Sequence, residues 1–368
     1  MTATAASTSG LADSLPARVH IAGAGLIGAS LGLALTRAGI DVTLTDINPA
    51  HVDHAVSVGA GREITDSDGD PAIVVAAVPP SEVAGTLAHA GKRWPDATLT
   101  DVASVKSAPL REAIEAGIPS AKFIGGHPMA GREVSGPTAA HVDLFDDRVW
   151  VLCPTQDCVE YRLAQLMAMV TACGALPVVM SPEEHDRAVA VTSHLPQVVA
   201  SSLAGGLLHT SDEALRVSGQ GLRDMTRIAD SDPQLWRSIL AMNGTEVAAV
   251  LEFLIADLSA VQVDLAQGQG GMATMEMLQR GVQGRARIPG KHGLRAKDYA
   301  TVTVLVKDEP GELARLFVAA GTLRVNLEDV RIEHILGRPS GLIDLFVQPA
   351  FADTLAAGLR EQAFDVRG

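Results

Sequence analysis

The sequence predicts an α/β protein in three parts: a mostly parallel sheet covered by helices, an all-helical segment, and a small α+β module. Three observations predict it. Apolar runs between Arg18 and Met180 alternate with helical stretches, the pattern of a parallel sheet buried on both faces. Residues 182–284 are rich in Ala, Leu, Val and Met and carry almost no strand signal. From Tyr299 strand periodicity returns, beginning with Thr301-Val-Thr-Val-Leu-Val306. The implied boundaries are a loose tail at 1–17, the sheet domain at 18–181, the helical domain at 182–284, a linker at 285–298 and the α+β module at 299–368.

The first elements are the clearest. Arg18-Val-His-Ile-Ala22 is a short strand, and an Ala/Leu-rich helix runs to about Arg37, where Gly39 stops it. Asp41-Val-Thr-Leu-Thr-Asp46 is the second strand. Further strands are expected at Ala72–Val78, Thr98–Val102, Lys122–Gly126, Val149–Cys153 and Leu176–Met180. Ser181-Pro-Glu-Glu184 opens the helical domain, with Ser as N-cap, Pro at the first helical position and Glu at the third. Five or so helices are expected there. The run from about Thr245 to Arg280, interrupted by little besides Gly268, Gly270 and Gly271, predicts one long helix suited to packing on a partner subunit. Arg285, Arg287, Lys291, Arg295 and Lys297 make the linker basic, which reads as a solvated connection. Val325–His334 and Leu342–Gln348 are the later strands of the last module.

Composition narrows the partners. Asp+Glu is 43 against Lys+Arg 29, a net charge of −14, which disfavours a nucleic-acid partner. Hydrophobic residues at 47% and charged residues at 20% fit a packed globular chain. Cys153, Cys158 and Cys173 form neither a disulfide framework nor a metal-ligand pattern, so no metal is expected. No apolar run reaches the roughly 20 residues needed to span a membrane. The tail lacks the basic and apolar segments of a secretory signal, so a cytoplasmic location is expected.

A dinucleotide site is legible after the first strand. Gly23-x-Gly25-Leu26-Ile27-Gly28 lies between strand and helix, where a Rossmann-type fold needs it. The first glycine permits the tight turn, the second close approach of the pyrophosphate, and the third helix–strand packing. The helix N-terminus supplies unpaired N–H groups for phosphate. Asp46 follows Gly28 by 18 residues at the end of the second strand. Its carboxylate suits the ribose hydroxyls of NAD and repels the 2′-phosphate of NADP, so NAD is the expected cofactor.

Polar residues cluster where parallel sheets bind ligands, at strand C-termini. Asp101-Val-Ala-Ser104-Val-Lys106 follows one strand, and Gly125-Gly-His127-Pro-Met-Ala-Gly131 ends the next. Gly and Pro around His127 fix its backbone, and an imidazole is the natural proton acceptor near neutral pH. In the helical domain, Thr192-Ser-His194-Leu-Pro196-Gln197 places a histidine and a helix-bending proline together. Gly219-Gln-Gly-Leu-Arg223-Asp-Met-Thr-Arg227 sets two guanidinium groups at i and i+4, and Trp236 follows.

These pieces in this order resemble the prephenate dehydrogenase (TyrA) family over about residues 18–285. The resemblance implies a Rossmann NAD-binding domain joined to a helical domain that forms a homodimer. It implies oxidative decarboxylation of prephenate to 4-hydroxyphenylpyruvate in tyrosine biosynthesis. By the same resemblance His127 is the catalytic histidine and Ser104 its hydrogen-bonding partner. His194 is a substrate-site residue, Arg227 the carboxylate anchor with Arg223 as the neighbouring candidate, and Trp236 borders the pocket. Arg132, in the loop that the resemblance places at the substrate side chain, stands where many members carry a small hydroxyl residue. The module at 299–368 resembles an ACT domain through Asp308-Glu-Pro-Gly311-Glu-Leu and Asn326, and implies an aromatic amino-acid effector. It reads as shorter at its end than a full βαββαβ unit.

Three rival readings remain. Arogenate dehydrogenase performs the same chemistry on the amino analogue, and the residues do not separate the two. A β-hydroxyacid dehydrogenase relies on a lysine in its helical domain, whereas residues 182–284 contain none. A non-catalytic sensor of nucleotides and amino acids would not need Ser104, His127, His194 and Arg227 together.

Overall fold

The computed structural model describes residues 15–130, 136–268, 271–288, 299–334 and 339–367. Most of the expected tail, Arg132, and Lys291, Arg295 and Lys297 of the linker lie outside the described residues. The chain forms two compact units, one up to Phe253 and one from Leu254 onward.

The first unit starts with β1 (Arg18–Ala22), α1 (Leu26–Arg37), β2 (Asp41–Thr45), α2 (Pro49–Ser57), β3 (Arg62–Glu63), β4 (Ile73–Ala76), α3 (Val83–Arg93) and β5 (Thr98–Asp101). It continues through α4 (Ser107–Glu115), β6 (Phe123–Pro128), β7 (Val149–Cys153), α5 (Glu160–Ala172) and β8 (Leu176–Val179). The eight strands form one sheet in the order β3-β2-β1-β4-β5-β6-β7-β8. All neighbours are parallel except β6 and β7. β3 was invisible in the sequence because two paired residues carry no period. The strand order reverses between β1 and β4, which opens a crevice at their C-terminal ends.

Every residue of β4 is buried, and so is every residue of β5 and β6. Alternate β4 side chains serve opposite faces. Ile73 and Val75 pack with Ile21, Leu31, Leu35 and Leu44, whereas Val74 and Ala76 pack with Leu87, Leu99 and Phe123. Helices on both faces remove the polar side of the alternation, so these strands read as solid apolar runs. Cys153 and Cys173 belong to this interior as free thiols, and burial pushes each up to about 12.

Among the described residues seven helices follow where five or so were expected: α6 (Pro182–Val189), α7 (Leu195–Gly206), α8 (Asp212–Leu215), α9 (Gln220–Thr226), α10 (Pro233–Met242), α11 (Gly244–Ala266) and α12 (Met272–Arg285). Ser181 caps α6 with the full reciprocal box to Glu184. A π-helical turn, Ala190–His194, joins α6 to α7 just before Pro196. Proline has no N–H and crowds the carbonyl four residues back, so the ladder widens there. The single long helix expected over 245–280 is corrected to two, α11 and α12. Gly268 takes φ +72, and Asp264 accepts hydrogen bonds from the backbone N–H and hydroxyl of Thr274 at the start of α12. A side chain at Gly271 would press 2.7 Å from that carboxylate. By their contacts, residues up to Phe253 cluster with the sheet and those from Leu254 with the second unit.

The second unit ends in β9 (Ala300–Lys307), α13 (Glu312–Thr322), β10 (Asp329–His334), β11 (Ser340–Val347), α14 (Pro349–Glu361) and β12 (Asp365–Arg367). The expectation of a shortened module is corrected. β12 pairs with β9 and completes a βαββαβ unit with an antiparallel sheet in the order β10-β11-β9-β12. β11 alternates buried and half-buried residues along its length, and Val302, Val304, Leu316, Leu345, Leu355 and Leu359 form the core. Among the described residues no single helix is long and apolar enough to cross a membrane.

The turn after β1 gives a direct test. A Cβ at Gly28 would collide with the Gly23 carbonyl, whereas one at Gly25 meets nothing within 4 Å. We expect Gly28→Ala to destabilise the first unit by about 1–3 kcal/mol, the cost of overpacking. Gly25→Ala should keep the melting temperature and weaken dinucleotide binding. Thermal melts and cofactor titration check both.

Candidate active site

The cradle after β1 fits a dinucleotide. Gly23 takes φ +105, and the space a side chain would need there is filled by the Ala77 carbonyl beyond β4. α1 begins at Leu26 with Gly25 as N-cap and no side-chain cap, so its first N–H groups are free for phosphate oxygens. Open space beside Gly25 leaves room for close approach. Asp46 follows β2 and accepts hydrogen bonds from Ala24 N (2.7 Å) and Asn48 N (2.8 Å). Oδ2 keeps a second lone pair for a ribose hydroxyl, while His51 Nδ1 lies 3.5 Å from Oδ1.

Farther along the same edge, Asp101 and Lys106 form a fully buried ion pair. Lys106 Nζ also donates to Gly126 O at 2.7 Å, and Gly126 N donates to Asp101 Oδ1 at 3.0 Å. This pairing explains the two glycines before His127. A Cβ at Gly125 would lie 2.9 Å from the Lys106 side chain, and one at Gly126 would press on the Asp101 carbonyl. Burial pushes the Asp101 carboxyl up, against the pull of Lys106.

His127 is the penultimate residue of β6 and is buried. Its Nδ1 lies 2.8 Å from His185 Nε2, and His185 Nδ1 lies 2.8 Å from Asp186 Oδ1. Asp186 in turn accepts the backbone N–H groups of Lys106 and Ser107, each at 2.8 Å. Burial holds the His127 imidazole well below its ordinary value, and His185, Lys106 and His194 push the same way against Asp186. Burial also pulls the Asp186 carboxyl upward. The hydrogen bonds from His185, Ser107 and Lys106 outweigh it and leave the group lowered. At Nδ1 the partner is His185. Ser104 lies half-buried in the turn between β5 and α4.

The chain of contacts continues into the helical segment. α10 and α11 meet at 95°, and Asn243 sits at the corner. Its Nδ2 donates to Asp186 O at 2.9 Å and lies 3.1 Å from His194 Nδ1. His194 is buried in the π turn, its ring edge-on to Trp236 at 6.0 Å, and burial lowers it to about 4. His194 Nε2 is buried with no hydrogen-bond partner among the described residues. Because the Asn243 amide donates to Nδ1, the ring hydrogen of this neutral histidine belongs on Nε2, a donor awaiting an acceptor. Arg223 lies exposed on α9. Arg227 opens a short 3₁₀ turn, and both segments pack against α7.

Sequence reasoning brought out His127, His194 and Trp236, which the structure joins in one network. It missed His185, Asp186, Asn243 and the role of Lys106. A signal existed for two of them. Pro182, His185, Asp186 and Val189 follow the spacing of a buried helical stripe, and two of the four are polar.

A doubly wound sheet with a glycine cradle at its switch point, and a buried imidazole at the same edge, defines a dinucleotide-dependent oxidoreductase. Comparison with known proteins gives the family. Residues 31–179 match the model described as "Prephenate dehydrogenase, nucleotide-binding domain", and residues 181–280 match "Prephenate dehydrogenase, dimerization domain". "Probable prephenate dehydrogenase NovF" of Streptomyces niveus is 36% identical, with 93% of this chain and 97% of that protein covered. "Prephenate dehydrogenase" of Bacillus subtilis is 30% identical over 85% and 87% of the two chains. A crystal structure of prephenate dehydrogenase from A. aeolicus, in complex with hydroxyphenyl propionate and NAD+, superposes with TM-score 0.64 at 30% identity, covering 72% of this chain and 96% of that one. The chain belongs to the prephenate dehydrogenase family.

The buried ion pair gives this site its stability test. Lys106→Met leaves Asp101 buried without its cation, and we expect a loss of about 3–5 kcal/mol. Adding Asp101→Leu to Lys106→Met should recover most of it. Denaturant unfolding of the two variants measures the difference.

Proposed function

We propose that this protein catalyses NAD-dependent oxidative decarboxylation of prephenate to 4-hydroxyphenylpyruvate. The observation that carries the reading is His127, a buried imidazole held at Nδ1 by His185 on the sheet edge that also bears the dinucleotide cradle. Prephenate has a ring hydroxyl at C4, a ring carboxylate and a pyruvyl side chain. NAD, when bound, supplies the hydride acceptor for C4. His127 takes the hydroxyl proton as the carbonyl forms, and loss of CO2 with aromatisation drives the step. Two substrate carboxylates call for cations, and the Arg227 guanidinium suits one bidentately, with Arg223 the neighbouring alternative. His194 offers a neutral N–H donor, Trp236 an apolar wall and Ser104 a hydroxyl near the reacting edge. Arg132 is assigned to the substrate loop by resemblance alone. Asp46 favours NAD over NADP.

A homodimer is the assembly this reading implies. Phe253, Leu258, Val263, Leu265, Met275 and Leu278 on α11 and α12 are exposed in the single chain, a pattern suited to a partner helix pair. The C-terminal βαββαβ module would take an aromatic amino acid as feedback effector, and the enzyme would work in the cytoplasm.

The decisive assay follows NADH formation by the purified protein with prephenate and with arogenate, each with NAD and with NADP. Turnover of prephenate with NAD is expected. Preference for arogenate would move the substrate to the amino analogue. His127→Asn should lower kcat by at least about 100-fold with little change in KM. The base must be neutral to accept a proton, and burial lowers its titration. The acid limb of kcat/KM should therefore lie below pH 6.5, the ordinary histidine value, with activity lost only as pH falls through it.

A further inference from the structure

Both nitrogens of His185 are committed, which fixes where hydrogens reside along the buried line from Asp186 to His127. The Asp186 carboxylate is met by His185 and by the backbone N–H groups of Lys106 and Ser107, which can only donate. Its oxygens are therefore acceptors, and His185 Nδ1 carries a hydrogen. In neutral His185 the Nε2 is then an acceptor, so His127 Nδ1 must donate to it across their 2.8 Å contact. His185 and Asp186 are 1% and 2% exposed, so bulk water does not compete for these positions.

We propose that His185 and Asp186 are positioning residues that hold the hydrogen of His127 on Nδ1 and leave its Nε2 lone pair as the base. The proposal rests on the dehydrogenase reading above and deepens it. In the reaction, the substrate O–H bond breaks and the proton passes to Nε2. The oxygen electron pair becomes the carbonyl π bond as hydride leaves C4; when the C–CO2 bond breaks, its electron pair aromatises the ring, the carbonyl π pair returns to oxygen, and that oxygen takes the proton back from Nε2. The resulting imidazolium donates from Nδ1 to His185, and the Asp186 carboxylate balances the charge through that ring. Lys106 is already neutralised by Asp101, so the Asp186 carboxylate remains available to this line. Asn243 adds a brace by holding the Asp186 backbone carbonyl.

Neutron diffraction from hydrogen–deuterium-exchanged crystals of the full-length protein reads the placement directly. Deuterium on His127 Nδ1 alone supports the proposal; deuterium on Nε2, with or without Nδ1, overturns it. Steady-state kinetics give a second reading. His185→Phe keeps a ring but removes both nitrogens. It should lower kcat at least about tenfold while KM for prephenate stays within about twofold. An unchanged kcat would overturn the proposal. A wild-type protein inactive on prephenate and arogenate would defeat the functional reading, while the neutron result would still judge the hydrogen placement.

Discussion

One carboxylate ties the reacting edge of the sheet to the helices that follow it. Asp186 sits in α6, yet its oxygens cap the backbone N–H groups of Lys106 and Ser107, where α4 begins. The positive end of a helix dipole favours a negative charge there, and the two N–H groups would otherwise lack helical partners. With that contact made, His185 falls beside His127 and Asn243 reaches back from the corner between α10 and α11. The proton acceptor and the groups around it thus come from segments as far apart in sequence as the 80 residues between Lys106 and Asp186, and their alignment depends on a buried anion with several donors.

The two sheets record how burial shapes a sequence. In the first, helices cover both faces, and β4 through β6 carry buried residues without interruption. In the second, β9 and β11 alternate, as a sheet does when its two faces meet different surroundings. The sequence therefore announced the change of architecture near Tyr299 without any knowledge of the fold.

Local chemistry was legible and long-range chemistry was not. The glycine pattern at Gly23–Gly28 and the capping box at Ser181 are written in a few consecutive residues, and both stand where the sequence put them; Asp46, whose bond to Ala24 spans 22 residues, was legible from its place after the second strand. His127 and His194 stood out because glycine or proline flanked them. His185 showed only as a polar member of a buried helical stripe, its partner His127 being 58 residues away, and nothing near Asn243 marks it, its partner His194 being 49 residues away. The break between α11 and α12 was readable in Gly268 and Gly271, but the apolar composition on both sides outweighed it. β12 was missed because three residues at a chain end hold too little pattern.

The π turn at Ala190–His194 has a geometric consequence. It accommodates one residue more than an α-helical ladder would, and each residue of an α-helix advances the azimuth by about 100°. Removing that surplus residue would rotate α6 against α7 by roughly the same angle. His185 and Asp186 could then no longer face the start of α4 while His194 faces Asn243. The bulge acts as a phase shifter, letting one continuous rod serve two chemical neighbourhoods that a regular helix would hold out of step.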